Sequence, residues 1–229
     1  MAEYFIVGAI VFFIIFIVAG YNAHVADWNN FFINVIDGWI RIFCRYYHHF
    51  IYQPVPVSDS GPSLLACNHL SGLDPFLIVA ACRRPIRFMI AREEYERFGL
   101  QWLFRAAGCI PVERSGRVEM AFRASLKALH KGEVVALFPE GGINRSHLPL
   151  LRLKAGIVKL AKMSGVPITP LRVEDMQAQG QTVLPIFLPS QSRLYVTPNI
   201  ECKNETDETY LTQLALYLQL KHKTVNQEE

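Results

Sequence analysis

Charge is sparse in this chain: Asp, Glu, Lys and Arg make up 19% of its 229 residues, against 51% hydrophobic. So little charge beside so much apolar character excludes disorder as the main state, and the length holds one generous domain or two small ones. A net charge of only +3 is too small to mark a nucleic-acid binder by itself, and no nucleic-acid partner is expected. Metal-ligand spacing is missing as well. The cysteines, Cys44, Cys67, Cys82, Cys109 and Cys202, are odd in number and scattered without a C-x-x-C pair. They point to a reducing compartment and to no metal site. No G-x-S-x-G elbow occurs, which disfavours a serine nucleophile. Acidic residues are absent from 145–172, where Arg145, Arg152, Lys154, Lys159, Lys162 and Arg172 gather, so an anionic ligand is expected there.

Tyr4 to Gly20 contains neither a charged nor an amide side chain. As a helix rising ~1.5 Å per residue it reaches roughly 26 Å, just short of a ~30 Å hydrocarbon core. Glu3 stands where a secretory signal would be positive, and no A-x-A cleavage pattern stands out, so a retained anchor is expected rather than a cleaved leader. Residues 31–52 are rich in Phe, Tyr and Trp but interrupted by Asp37, Arg41 and Arg45, which suits a helix lying in the headgroup layer. Arg41 and Arg45 are the first positive side chains after the apolar run and put the remainder of the chain on the cytoplasmic side of a membrane, held single-pass or monotopically. The adjacent His48 and His49 read as interfacial decoration, not as a metal site. This divides the chain into a membrane anchor with an interfacial helix, 1–52, and a second domain, 53–229.

Beyond the loop at 53–63, short apolar runs alternate with helical patterns. Strands are predicted at 64–67, 86–90, 109–112, 134–138 and 168–173, and helices at 75–82, 93–107, 117–130 and 153–164. LPIFLP and SRLYVTP, after Gly180, read as further short strands. Tyr210, Leu211, Leu214, Tyr217 and Leu218 fall on one face of a final helix. The alternation predicts an α/β fold: a mixed, largely parallel sheet flanked by helices, with an N-terminal membrane-anchoring helix.

Two motifs carry chemistry. In Asn68-His69-Leu70-Ser71-Gly72-Leu73-Asp74-Pro75, His69 follows a buried strand, Gly72 permits a tight turn, and Asp74-Pro75 reads as the cap and first residue of the next helix. That turn returns the carboxylate to the imidazole, a general-base arrangement in which Asp74 fixes the tautomer. An ordinary turn and cap would use the same residues, so the pair is weighed together with the second motif. Phe138-Pro139-Glu140-Gly141-Gly142 closes another strand, and parallel strands deliver their C-terminal ends to one edge. There the glycines let backbone N–H groups approach an anion, with Arg145 following.

Together these blocks resemble the glycerolipid acyltransferase family typified by 1-acylglycerol-3-phosphate acyltransferases, whose first block is N-H-x-S-x-x-D-P and whose third is F-P-E-G-T-R-S. A second block resembles Gly108-Cys109-Ile110-Pro111-Val112-Glu113-Arg114, and a fourth Val166-Pro167-Ile168-Thr169-Pro170. The resemblance implies that His69 is the base and Asp74 its partner, while Arg114, Glu140 and Gly141 hold the acyl acceptor and its phosphate. Gly142-Ile143-Asn144 stand where the family block has one Thr, so Arg145 comes two positions late. Phosphate binding therefore stays open among Arg145, Arg152 and Lys154, or the head group differs from a simple phosphomonoester. The implied reaction moves a fatty acyl group from acyl-CoA or acyl carrier protein to a lysophospholipid hydroxyl at a lipid bilayer, with no bound cofactor. The alternative is a membrane-associated thioesterase or lipid hydrolase, with water as acceptor.

Overall fold

The computed structural model describes residues 1–113 and 118–220. Along the chain run α1 (Ala2–Ala23), α2 (Phe31–Tyr46), β1 (Ile51–Tyr52), β2 (Ser63–Cys67), α3 (Asp74–Ala81), β3 (Ile86–Ala91), α4 (Arg92–Tyr95), α5 (Gln101–Ala106) and β4 (Ile110–Val112). They are followed by α6 (Val118–His130), β5 (Val134–Leu137), α7 (Gly156–Ser164), β6 (Ile168–Glu174), α8 (Leu184–Phe187), β7 (Arg193–Val196) and α9 (Asp207–Gln219). The strands form one sheet in the order β1-β7-β6-β2-β5-β3-β4. Every pairing is parallel except β6 with β7, so the expected largely parallel α/β sheet is what forms.

Alternation along the central strands sends neighbouring side chains to opposite faces. Leu65, Cys67, Val134 and Ala136 join a core that includes Leu77 and Ile78 of α3. Leu64, Ala66 and Val135 join the other, with Leu129, Ile157, Leu160 and Leu214 from α6, α7 and α9. Parallel pairing of β2 with β5 and β6 then places Asn68-His69, Phe138-Pro139 and the end of β6 on a single rim.

The N-terminal helical hairpin, α1 with α2, is tied to this body. α2 is capped by Asn30, whose side chain accepts from the backbone N–H groups of Phe32 and Ile33, a contribution of about 1 kcal/mol. An added Cβ at Gly38 would overlap the Gly20 carbonyl, so α1 and α2 meet backbone to backbone. Trp39 stacks on Phe16. Asp37 is buried and accepts from Val25 N, Trp28 Nε1 and Arg41. Arg41 in turn donates to the carbonyls of Ala80 and Cys82 at the end of α3, where helix carbonyls lack intrahelical partners. Two of the three charges that interrupt the aromatic run, Asp37 and Arg41, thus attach α2 to the domain.

Four local expectations are corrected. The single helix predicted at 93–107 is two short ones, because Gly99, at φ +81°, turns the chain between α4 and α5. LPIFLP is the helical turn α8, not a strand, with Pro185 in its first turn, where the missing N–H is harmless. Asp74 is the first residue of α3, and Leu73 occupies the cap. His48 is fully buried, hydrogen-bonded through Nδ1 to Ser190 Oγ at 2.8 Å, rather than interfacial, and burial pushes its pKa down.

Candidate functional site

β2 ends at Cys67, and Asn68 turns the chain out of the sheet. Its carboxamide is held by both backbone groups of Val173: Nδ2 donates to the carbonyl at 2.9 Å, and Oδ1 accepts from the N–H at 2.8 Å. The next residue, His69, lies at the rim with its side chain 15% exposed, and Nδ1 is 2.8 Å from Asp74 Oδ2. Asp74 itself is fully buried. Its Oδ2 also accepts from the N–H groups of Leu70 and Ser71 at 2.7 and 2.9 Å, and Oδ1 accepts from Ser71 Oγ at 2.9 Å. A buried carboxylate with this many donors is held in one place, with an acceptor oxygen aimed at Nδ1. Nδ1 is therefore the protonated nitrogen, and Nε2 is the basic one, with no hydrogen-bond partner among the described residues.

The imidazole also has a fixed plane. It stacks on Phe138 with centroids 3.9 Å apart and an interplanar angle of 14°, and Phe138 lies beside Phe88. Glu140, on the loop after β5, clamps the same turn. Its Oε1 accepts from His69 N and its Oε2 from Leu151 N, both at 2.7 Å. Burial pushes the Glu140 carboxyl pKa up, against the opposing pull of those two N–H groups. Glu140 thus shapes the loop and fixes the backbone of His69.

Of the other expected site residues, Glu140, Gly141 and Lys154 lie with this turn. Gly141 has φ +78°, and a Cβ there would run into the Lys154 side chain, so the exposed lysine crosses directly over the glycine. Lys154 precedes α7, not inside the helix predicted from residue 153, and its N–H donates to Pro139 O at 2.9 Å. Gly142 is half-buried in the same loop. Arg145 is exposed and packs beside Gly180. Arg114 lies outside the described residues.

Two contributors, Asn144 and residues 180–182, are not foreseen from the sequence, and a third, Ser71, is read there only as a member of the first block. Asn144, one of the extra loop residues, donates its N–H to His69 O at 2.8 Å. Its Oδ1 accepts from Ser146 N and Oγ, and its Nδ2 donates to Leu148 O. The longer loop is therefore pinned to His69 itself, one residue before Arg145. The Asn-x-Ser spelling is an Asx-turn signal that was available to find it. Ser71 is buried, bonded to Asp74, to Leu73 N and to Met176 Sδ, and supports the carboxylate from inside. Residues 180–182 close over the turn, with Gly180 N donating to Leu70 O and Gly72 N to Gln181 O; nothing local in the sequence announces that contact. No group of His, Cys, Asp and Glu suited to a metal ion occurs among the described residues.

Comparison with known proteins follows the same blocks. The family model Acyltransferase matches residues 48–174. The 1-acyl-sn-glycerol-3-phosphate acyltransferase of Bacillus subtilis (strain 168) is 27% identical over 114 residues, 49% of this chain and 55% of that protein. The N-acylphosphatidylethanolamine synthase of Arabidopsis thaliana is 28% identical over 134 residues, 54% of this chain and 46% of that protein. The chain spans about half the length of the curated relatives it matches. Its fold is similar to that of the 1-acyl-sn-glycerophosphate (LPA) acyltransferase PlsC from Thermotoga maritima, with a TM-score of 0.64 at 18% identity, covering 94% of this chain and 90% of that one.

Proposed function

The chain belongs to the acyltransferase family, and on that premise we propose that it transfers a fatty acyl group from a thioester, acyl-CoA or acyl carrier protein, to the free hydroxyl of a lysophospholipid, 1-acylglycerol-3-phosphate first among them. The observation that carries this reading is the 2.8 Å contact between His69 Nδ1 and a fully buried Asp74 at the strand-end rim, leaving Nε2 to act as base. Nε2 takes the proton of the acceptor hydroxyl as its oxygen attacks the thioester carbonyl, and the imidazolium is stabilised by the Asp74 carboxylate. Collapse of the tetrahedral adduct breaks the C–S bond, and the imidazolium returns the proton to the departing sulfur. Lys154 over Gly141, with Arg145 and Arg152 exposed nearby, supplies positive charge for a phosphate. Ser71 and Cys67 are buried and bonded inward, which favours direct attack over an acyl-enzyme.

The 22-residue α1, whose side chains are almost all exposed, serves as the membrane anchor, with the catalytic domain on the cytoplasmic face. Acceptor and product are amphiphiles, so a tethered catalyst meets them at high local concentration. The test is thiol release from an acyl thioester by the full chain, with and without lysophosphatidic acid. Acceptor-dependent release with phosphatidic acid as product is expected. Equal release without acceptor would make the protein a hydrolase.

A further inference from the structure

The connection between β6 and β7 is unlike the rest of the surface. Residues 176–192 contain no Asp, Glu, Lys, Arg or His, the longest such run outside the N-terminal helix. A solvated loop of that length ordinarily carries charge. Instead α8 and its N-cap residue expose Val183, Leu184 and Phe187 at 49%, 43% and 67%, spaced so that they share one side of a helical turn.

The connection is fastened at both ends to parts already described. Towards the anchor hairpin, Tyr47 Oη donates to Phe187 O at 2.5 Å, His48 Nδ1 pairs with Ser190 Oγ at 2.8 Å, and Ser192 N donates to His48 O at 3.2 Å. Towards the site, Gly180 N donates to Leu70 O at 2.8 Å, and Met176 Sδ lies 2.8 Å from Ser71 Oγ. The apolar tip thus continues the exposed aromatic end of α2, where Tyr46 and Tyr47 are 66% and 39% accessible. It is also linked by hydrogen bonds to the turn that carries His69.

Resting on the membrane-bound acyl-transfer reading above, we propose that this connection is a second membrane contact. Val183, Leu184 and Phe187 enter the boundary between headgroups and acyl chains of a lipid bilayer and seat the His69 turn against the layer in which the acceptor lies. Three observations select lipid over a protein partner: the tip has no charge to complement, it continues the exposed surface of the anchor hairpin, and its flanking polar groups, Gln177, Gln179 and Gln181, are uncharged hydrogen-bonding amides. Aromatic and aliphatic side chains rimmed by neutral polar groups are suited to that boundary.

The test places an indole at the tip, Phe187→Trp, and another at the opposite edge of the sheet, Met163→Trp, in the full chain reconstituted with phosphatidylcholine vesicles whose acyl chains are brominated. Emission from the tip indole, taken as the difference from the parent protein, is expected to be quenched, and that from position 163 to be unaffected. No quenching at 187, or equal quenching at both positions, overturns the proposal. So does cross-linking of two copies through position 187 in place of lipid contact. In a second experiment Phe187→Ser, and the triple change Val183→Ser, Leu184→Ser, Phe187→Ser, are assayed on acceptor in vesicles and on a short-chain acceptor dispersed as monomers. Loss of one of two membrane attachments is expected to lower the vesicle rate about tenfold and leave the monomer rate unchanged. Equal losses on both substrates overturn the idea. Quenching needs no turnover, so a quenched but inactive chain would refute acyl transfer alone.

Discussion

Asp74→Asn isolates the electrostatic part of the proposed base. An asparagine whose amide oxygen takes the Oδ2 position keeps the bonds from His69 Nδ1, Leu70 N and Ser71 N, all 2.9 Å or shorter in the native chain. The amide nitrogen then faces Ser71 Oγ, which can accept from it and donate to Met176 Sδ instead. The tautomer and the turn survive; the negative charge does not. A carboxylate about 4 Å from the imidazolium charge, at an effective dielectric near 20, stabilises it by about 4 kcal/mol, and about 1.4 kcal/mol corresponds to a tenfold rate. A fall of roughly 10³-fold in kcat is therefore expected, with the thermal midpoint near that of the parent. The assay is acceptor-dependent thiol release, followed from neutral to alkaline pH. A variant within threefold of the parent rate would refute the reasoning, because the buried charge would then be serving the turn alone. Asp74→Ala offers the contrast: it strands three N–H donors at about 1–3 kcal/mol each, and loss of the folded state is expected in thermal unfolding.

Three further outcomes follow from the same contacts. Glu140→Ala removes the acceptor of His69 N and Leu151 N and is expected to cost about 2–4 kcal/mol in denaturant unfolding together with most of the activity. Because burial raises the Glu140 pKa, its contribution is full below the unfolded value and declines as pH rises through the folded one. The stability gap between the parent and Glu140→Gln should therefore narrow with rising pH. Gly141→Ala combines a φ of +78° with a Cβ set against Lys154; a loss of about 1–2 kcal/mol is expected, and KM for a phosphate-bearing acceptor should rise more than kcat falls. Burial pushes the Cys44 thiol up to about 12 and Cys109 and Cys202 to about 11, so at pH 8 roughly one thiol in a thousand or fewer is thiolate. Native protein should react with Ellman's reagent slowly and faster as pH rises, and fast labelling at pH 8 would contradict the burial.

What was legible in the sequence was what local spelling and strand order determine. His69 and Asp74 are five residues apart across a glycine turn, and Glu140 ends a second apolar strand, so parallel pairing alone brings them to one rim. The contacts that complete the site join distant segments: Asn68 to Val173, Ser71 to Met176, Gly72 to Gln181. No periodicity reports such pairs. Where the reading failed, a local signal lost to another. The helical pattern of 93–107 was broken by Gly99, and the apolar LPIFLP, read as a strand, wound into a turn whose proline fits a helix start. His48 sits at the end of an aromatic run that reads as interfacial, yet it is buried, with Nδ1 hydrogen-bonded to Ser190 from a segment far away in the chain.

The meeting of Gly20 and Gly38 gives the N-terminal hairpin a fulcrum made of missing atoms. With no β-carbon on either side, the two helix axes approach as near as their backbones allow, and the inclination of α1 to the sheet is set at that point. A methyl at position 38 would act as a wedge, prising the hairpin open and swinging α1 through an arc relative to the sheet although nothing near His69 had been altered.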